Sequence, residues 1–201
     1  MSRCQKPEGR CPRCRLYERV CLCASLPRLD TRTRLCLVIH RDEQHKPTNS
    51  GLLAVASLTN SEVCVRGVHG GDAAALTFDA ARQPLLLFPH ADARPLADFG
   101  RSPRPITLVV PDGTWRQASR VRGRVAGLAD VPCVTLPPAI VTPSRLRAQP
   151  DDARLPTLLA IARALGVLEG DTARAALEQL FATLVDRTLR LRGRSATPAV
   201  E

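Results

Sequence analysis

Aromatic residues are scarce in this 201-residue chain: they make up 3% of it, and Trp115 is the single tryptophan. Because 44% of the residues are hydrophobic, leucine, valine and alanine must build the core. No apolar run approaches the roughly 18 residues of a transmembrane helix, and the polar, cysteine-rich start lacks the apolar segment of a signal peptide. We therefore expect a cytoplasmic protein that uses no membrane and shows no sign of an obligate protein partner.

Acidic residues and lysine are also few. The chain has 29 basic and 19 acidic residues, a net charge of +10, and every basic residue except Lys6 and Lys46 is an arginine. Arginine binds phosphate through paired hydrogen bonds and stacks on bases. The excess predicts a polyanionic partner, nucleic acid before membrane, because no basic amphipathic helix with an aromatic face is present. The alternative is a bias towards arginine and alanine throughout the protein.

Cysteine, in contrast, is concentrated: five of the eight cysteines lie in the first 23 residues. Four of them form two close pairs, Cys11 with Cys14 and Cys21 with Cys23, and each pair can turn both sulfurs towards one ion. Without a secretion signal, a metal is favoured over disulfides, and four thiolates complete the closed shell of a structural zinc. Cys4 can replace one ligand or stay unused. The other cysteines are expected in the core: Cys36, Cys64 and Cys133.

Short apolar runs alternate with helical patterns along the rest of the chain. Five runs are typical of buried strands: 34–39, 63–68, 85–88, 106–110 and 133–136. Helices are predicted at 51–58, at 114–125, from Pro156 in the first turn to Gly166, and from a cap at Asp171 to a fraying basic end at 187–194. Two loops rich in proline and arginine cover 89–105 and 137–150. The alternation predicts an α/β fold, a mostly parallel sheet with helices on both faces.

One turn stands out, directly after the fourth apolar run. Pro111 stops the strand, Asp112 and Gly113 suit a turn, and Thr114 can cap a helix that begins near Trp115. Open α/β sheets bind ligands outside the carboxyl ends of their strands. The turn therefore gathers a carboxylate, a hydroxyl and an indole at a predicted pocket rim. A packed tryptophan beside a helix cap is the simpler alternative.

Further motifs follow other predicted strands. They are His40 to Glu43 with the segment 47–51, the segment 86–89, and the Arg-Leu-Arg segment at 145–150. Together with the cysteine pairs and the Asp-Gly-Thr-Trp turn, this order resembles the DTW-domain family, whose members are tRNA-uridine aminocarboxypropyltransferases. The resemblance covers roughly residues 11 to 185.

Three positions depart from the family pattern. The first loop reads Asn49-Ser50-Gly51 in place of Asn-Thr-Gly, so it keeps a hydroxyl without the methyl group. Ser144 stands where an aromatic residue is common, and Leu159 where the helix start Ser-Thr-x-Glu-Ala has its glutamate. If that glutamate orients substrate or caps a loop, activity or substrate choice differs in this chain.

The resemblance implies a fold like that of the SPOUT RNA-modifying enzymes, with a C-terminal trefoil knot that topology rules alone would make improbable. It divides the chain into a zinc knuckle at 1–28, a catalytic domain at 29–192 and a disordered tail at 193–201. The implied donor is S-adenosylmethionine, held by the loops after the last three strands. The residues implied for donor binding are Leu87, Phe88, Pro89, Asp112, Gly113, Thr114, Trp115, Leu136 and Pro137.

The implied reaction moves the 3-amino-3-carboxypropyl group to N3 of a tRNA uridine and releases 5′-methylthioadenosine. Because the leaving group is neutral, the site has to align the reactants and remove the N3 proton. Catalytic roles fall to Asp112 as base or hydrogen-bond acceptor, to Thr114 and to Trp115; turn, cap and packing roles are the alternatives. The implied tRNA contacts are His40, Glu43, Asn49, Arg116, Arg120, Arg145 and Arg147. The alternative role of these four arginines is to bind the carboxylate of the donor. Arg10, Arg13 and Arg15 of the knuckle would form a second contact with tRNA.

Two other functions stay open at this stage. One is an RNA methyltransferase of similar knotted fold, which would transfer the donor's methyl group instead. The other is a non-enzymatic zinc-ribbon module that binds RNA without binding the donor.

Overall fold

The computed structural model describes residues 9–44, 46, 49–67, 75–137 and 155–191. Six strands form one sheet in which every pair of neighbours is parallel, in the order β2-β1-β5-β3-β6-β4. The strands are β1 (Arg34–His40), β2 (Ser61–Arg66), β3 (Gln83–Leu87), β4 (Arg94–Pro95), β5 (Ile106–Asp112) and β6 (Cys133–Thr135).

Six α-helices accompany the sheet in the described part of the chain. They are α1 (Arg41–Gln44), α2 (Gly51–Ser57), α3 (Trp115–Ala118), α4 (Val121–Arg124), α5 (Thr157–Glu169) and α6 (Asp171–Leu191). Short 3₁₀ turns lie at Glu18–Val20, Cys23–Ser25 and Leu96–Phe99. Within these described ranges no helix combines the length and the apolar character that crossing a bilayer requires.

The central strands are buried on both faces, as their unbroken apolar runs predict. In β1, Leu35 and Leu37 pack in the cluster that contains residues of α2, α5 and α6. The alternate residues Cys36 and Val38 pack in a second cluster, with residues of α3 and α4. This alternation confirms the predicted α/β architecture, a parallel sheet with helices on both faces.

The parallel arrangement brings the carboxyl ends of the strands to one edge of the sheet. The register pairs His40 of β1 with Arg66 of β2, and Ile39 of β1 with Asp112 of β5. The described residues that follow β1, β3 and β5 therefore converge at this edge, which we call the C-terminal edge.

The cysteine-rich segment packs against the body of the protein. Leu22 is fully buried, and Leu16 and Val20 belong to the same core cluster as residues of α5 and α6. Arg187 of α6 donates hydrogen bonds to the main-chain carbonyl of Cys21 and, at 3.0 Å, to the Ser25 hydroxyl. The domain boundary at residue 28 stays a prediction, but the segment shares its hydrophobic core with the helices.

The helix predicted over 114–125 is wrong as a single helix: it is α3 and α4, with the break at Ser119 and Arg120. The chain then leaves the helical path because Ala126 pairs with Ala75 in a parallel bridge. Gly127 follows with φ of 90°, and a Cβ there would lie 2.1 Å from the Leu76 carbonyl oxygen. A tertiary contact therefore ends this helical segment.

The ends of the last two helices also differ from the prediction. Gly166 lies inside α5, where a Cβ would come within 2.8 Å of Arg174 Cδ, so the absence of a side chain permits close packing on α6. The residue that ends α5 is Gly170, with φ of 91°. Pro156 caps α5 rather than lying in its first turn, and Asp171 is the first residue of α6. The predicted fraying from Arg187 is wrong up to Leu191, because the segment Cys21–Ser25 anchors Arg187.

Two smaller differences concern the strands. β2 begins at Ser61 because its pairing with β1 includes polar residues that an apolar pattern does not detect. The loop predicted at 89–105 contains β4 and a 3₁₀ turn. Cys4, Ser144, Arg145, Arg147 and the tail at 193–201 lie outside the described residues. The knot stays a prediction.

Candidate functional site

A buried carboxylate lies at the centre of the C-terminal edge. Asp112, the last residue of β5, is 6% exposed and accepts hydrogen bonds from two side chains. Its Oδ2 accepts from Asn49 Nδ2 at 2.6 Å, and its Oδ1 accepts from the Thr157 hydroxyl at 2.6 Å. One carboxylate thereby joins the loop before α2, the end of β5 and the first residue of α5. We call Asp112, Asn49 and Thr157 the carboxylate junction.

The loop before α2 fits tightly around this junction. A Cβ on Gly51 would lie 2.9 Å from Asp112 Oδ2 and 3.1 Å from Thr157 Cγ2, so a side chain here would press on the carboxylate. The Ser50 hydroxyl accepts a hydrogen bond from the main-chain N–H of Leu158 at 3.4 Å. It supplies the cap that the proline at the start of α5 cannot. The serine hydroxyl alone makes this bond, so the methyl group of the family's threonine is not required for it.

On balance, the surroundings of Asp112 raise the pKa of its carboxyl group. Burial is the largest cause that raises the pKa of this carboxyl group above its ordinary value, and the charge of Glu43 raises it further. The hydrogen bonds from Thr157 and Asn49 act in the opposite direction and lower the pKa. Lys46 Nζ forms an ion pair with Glu43 Oε1 at 2.6 Å. A carboxylate whose pKa is raised is a better proton acceptor than an exposed aspartate.

The turn after Asp112 is a complete capping box, as the sequence indicates. The Thr114 hydroxyl accepts from the Gln117 N–H at 3.3 Å, and the main-chain N–H of Thr114 donates to Gln117 Oε1 at 2.8 Å. Gly113 has φ of 144°, and a Cβ there would lie 2.7 Å from Gln117 Oε1. The hydroxyl of Thr114 is therefore engaged in starting α3, while its side chain stays exposed.

Trp115 presents an aromatic surface at the same edge. Its side chain is 45% exposed and its ring centroid lies 4.8 Å from that of Phe88, at an interplanar angle of 41°. Phe88 in turn contacts His90 edge to face, at 5.2 Å. We call Trp115 and Phe88 the aromatic platform. It combines an exposed indole with a buried neighbour that holds the indole in place.

The carboxylate junction and the aromatic platform contact different layers of the protein. Phe88 belongs to the cluster with α3 and α4, whereas the partners of Asp112 lie at the start of α5 and before α2. The sequence predicts one rim that holds both side chains. The structure separates them into a buried polar junction and an exposed apolar surface on either side of the end of β5.

The four clustered cysteines have the geometry of a metal site. The sulfurs of Cys11, Cys14, Cys21 and Cys23 all lie within 4.8 Å of one another, with 3.5 Å between Cys11 and Cys23 and 3.6 Å between Cys14 and Cys21. A tetrahedral zinc with ligands at 2.3 Å needs separations of about 3.8 Å. The N–H groups of Cys14 and Arg13 lower the pKa of the Cys11 thiol to about 6, whereas burial raises that of Cys23 to about 12. These residues can hold a metal ion.

One arginine of the cysteine-rich segment contacts the helix that follows β1. Arg15 donates a hydrogen bond to the main-chain carbonyl of Gln44 in α1, the helix that carries Glu43. Within its own segment, Arg10 stacks on Tyr17, with its guanidinium carbon 4.2 Å from the ring centroid. The segment thus places the Arg15 side chain against α1, next to the C-terminal edge.

Comparison with known families identifies this arrangement. The family model of the DTW domain matches residues 8–189. The chain belongs to the DTW domain family. A relative from Drosophila melanogaster is 30% identical over 168 residues, which is 80% of this chain and 67% of the relative. One from Macaca fascicularis is 31% identical over 173 residues, 82% of this chain and 57% of the relative. Both carry the name tRNA-uridine aminocarboxypropyltransferase 2.

The chain thus spans little more than half of the Macaca fascicularis relative and about two thirds of the Drosophila melanogaster relative. A further relative of the same name, from Mus musculus, is 30% identical over 173 residues. No solved structure matches the chain.

Within the DTW domain, the other predicted site residues surround these features. His40 ends β1, where its Nδ1 accepts from the Asp42 N–H at 3.3 Å. Arg116 and Arg120 are exposed, in and just after α3. The remaining residues expected at the donor site follow or end β3 and β6: Leu87, Pro89, Leu136 and Pro137.

Two residues of the DTW domain were missed by the sequence reasoning. The sequence pattern does not single out Thr157, because its role depends on a hydrogen bond to Asp112, 45 positions away. Arg66 ends β2 and is 8% exposed; its Nη2 donates to the Gln117 carbonyl at 2.9 Å and ties the edge strand to α3. Nothing in the sequence around Arg66 distinguishes it from the other arginines.

Proposed function

We propose that this DTW-domain protein is a tRNA-uridine aminocarboxypropyltransferase. It would move the 3-amino-3-carboxypropyl group of S-adenosylmethionine to N3 of a tRNA uridine and release 5′-methylthioadenosine. The observation that carries the proposal is the carboxylate junction, since it joins three family motifs, at Asn49, Asp112 and Thr157, in one buried cluster. The names of the relatives support the choice of reaction.

The proposed reaction needs no general acid, because the leaving group is neutral, but it needs the reactants to be aligned. The uridine N3 attacks the carbon beside the sulfonium, the carbon–sulfur bond breaks with its electron pair on sulfur, and the N3 proton is lost. Asp112 accepts hydrogen bonds from two side chains and from the main chain of Gly113, and a carboxylate has about four lone-pair sites, so it keeps the capacity to accept that proton. Asn49 and Thr157 hold the carboxylate in one orientation, which near-attack geometry demands.

The aromatic platform suits a nucleobase. The exposed indole of Trp115 offers a face on which a base or the donor's adenine stacks, and such stacking contributes about 1–3 kcal/mol per base. Thr114 positions the indole because its capping box fixes the first turn of α3. The remaining donor contacts are proposed in the loops after β3 and β6.

Binding of tRNA would use the basic surface around the site. The proposed contacts are the exposed Arg116 and Arg120, in and just after α3, the arginines of the cysteine segment, and Arg145 and Arg147. The metal is proposed to be zinc with a structural role, because four thiolates leave no open coordination position. It would fold the segment that carries Arg10, Arg13 and Arg15.

Labelled donor separates the proposal from its alternatives. The full chain is incubated with unmodified tRNA and S-adenosylmethionine labelled in the carboxypropyl group or, separately, in the methyl group. Transfer of the carboxypropyl label to uridine is the expected result. Transfer of the methyl label alone would show an RNA methyltransferase. Binding of tRNA with no calorimetric signal for the donor would show an RNA-binding module.

A further inference from the structure

The strand at the edge of the sheet ends in a buried cation. Arg66, the last residue of β2, is 8% exposed, and its only hydrogen bond to a described residue runs from Nη2 to the Gln117 carbonyl at 2.9 Å. Its Nε is buried and has no hydrogen-bond partner in the described part of the chain. Buried donors are almost always satisfied in folded proteins, so an orphan Nε in a guanidinium calls for a ligand.

Among the described residues the charge of Arg66 also has no anionic partner. No carboxylate lies within ion-pair distance of its guanidinium there. Burial is the largest cause that lowers the pKa of Arg66, and the charge of Arg124 lowers it further. A buried cation without an anion is unfavourable, and a bound anion would remove the penalty.

Arg66 lies at a position where α/β proteins place ligand-binding residues. It lies at the carboxyl end of a parallel strand, where open α/β sheets bind ligands, and it is paired in register with His40. The next residue, Gly67, has φ of 81°, and a Cβ there would lie 2.6 Å from His40 Nε2. The chain therefore passes directly against the imidazole beside Arg66.

We propose that Arg66 is the inner contact of an oxyanion-binding site at the C-terminal edge, with His40 beside it. The ligand class is a phosphate or carboxylate oxyanion. The identity of the natural ligand rests on the proposed function: it is either a phosphodiester of the tRNA or the carboxylate of the aminocarboxypropyl donor. In both cases the bound anion would hold α3, and with it Trp115, through the bond from Arg66 to Gln117.

The first experiment uses inorganic phosphate alone, so it does not depend on transferase activity. Thermal unfolding of the full chain is followed with increasing phosphate, at ionic strength matched with chloride. Phosphate is expected to raise the Tm of the wild type in a saturable way, and this rise is lost in Arg66→Gln and partly kept in Arg66→Lys. Arg94→Gln, at the opposite edge of the sheet on β4, is the matched control and should behave as wild type.

Two further measurements identify the natural ligand. If it is a tRNA phosphate, Arg66→Gln lowers the slope of log K against log salt by about 1. If it is the donor carboxylate, that slope is unchanged and affinity for S-adenosylmethionine falls about tenfold or more, while affinity for 5′-methylthioadenosine stays the same.

Equal responses to phosphate in wild type and Arg66→Gln, with the salt slope and the donor affinity unchanged, would overturn the proposal. Arg66 would then be only a tie between β2 and α3. Should Arg66→Gln fail to fold, the Nε–H resonance of Arg66 in the wild type decides. It shifts on phosphate titration if the site exists, and its insensitivity would equally overturn the proposal. If the wild type showed no transferase activity, the proposed function would be refuted, and the phosphate result would still stand.

Discussion

Replacing Thr157 by valine tests the carboxylate junction most directly. The substitution removes the hydroxyl that donates to Asp112 Oδ1 at 2.6 Å and keeps the branched shape beside Gly51. A hydrogen bond to a charged group contributes about 1.5–3 kcal/mol, and the 6% exposure of Asp112 leaves little access for water to replace it. We expect Thr157→Val to lower the free energy of unfolding by about that amount, and Thr157→Ser to restore most of it.

The same change has a defined pH signature. The folded-state pKa of Asp112 is raised above its ordinary value of 3.8, so the folded state holds this proton more tightly than the unfolded state. The contribution of Asp112 to stability is therefore highest at acid pH and falls as pH rises from about 3.8 through the folded pKa. The hydrogen bond from Thr157 lowers the folded-state pKa of Asp112. Without this bond the folded-state pKa is higher, so the free energy of unfolding keeps falling up to a higher pH. If Asp112 is the base, the acid limb of kcat/KM moves upward as well.

Urea unfolding at a series of pH values, with transfer assays on the same samples, measures both effects. Thr183→Val is the matched control, because the Thr183 hydroxyl donates only to the Gln179 carbonyl within α6, at 2.9 Å. Thr183→Val should change the free energy of unfolding by no more than about 0.5 kcal/mol. Equal costs for the two valine variants, or a pH profile that Thr157→Val leaves unchanged, would refute the reasoning.

Three other predictions address the remaining parts of the site. Asp112→Asn should lower the rate of transfer at least a hundredfold, because the amide cannot take up the N3 proton. The fold should stay intact, since the amide can accept a hydrogen bond from Asn49 and donate one to the Thr157 hydroxyl oxygen. Retained activity would exclude a proton-acceptor role. Trp115→Ala should weaken tRNA or donor binding by about 1–3 kcal/mol at nearly unchanged stability, because the indole is 45% exposed; calorimetry showing full affinity for both ligands would contradict the platform. Removing the metal should unfold the cysteine segment and lower the Tm, because Leu22 packs against the main core; elemental analysis that finds no metal in protein kept reduced would contradict a zinc site.

Features that depend on neighbouring residues were predictable from the chain. The apolar runs indicated five of the six described strands, since a strand buried on both faces needs a continuous apolar stretch. The capping role of Thr114 followed from its place after a turn, and the four cysteines were recognised from spacings of a few residues. In each case the partners lie close in sequence, so the pattern already contains the geometry.

The amino-acid sequence by itself determined the parallel α/β fold, the cysteine cluster and the family motifs at the strand ends. Only the tertiary structure decided that Asp112 meets Asn49 and Thr157, residues 63 and 45 positions away, because sheet register and helix packing bring them together. It also decided that the Asp112 carboxylate is buried while the nearby indole is exposed, and that Arg66 ends its strand without an anionic partner among the described residues. Burial and long-range pairing are properties of the packed chain, and no local pattern encodes them.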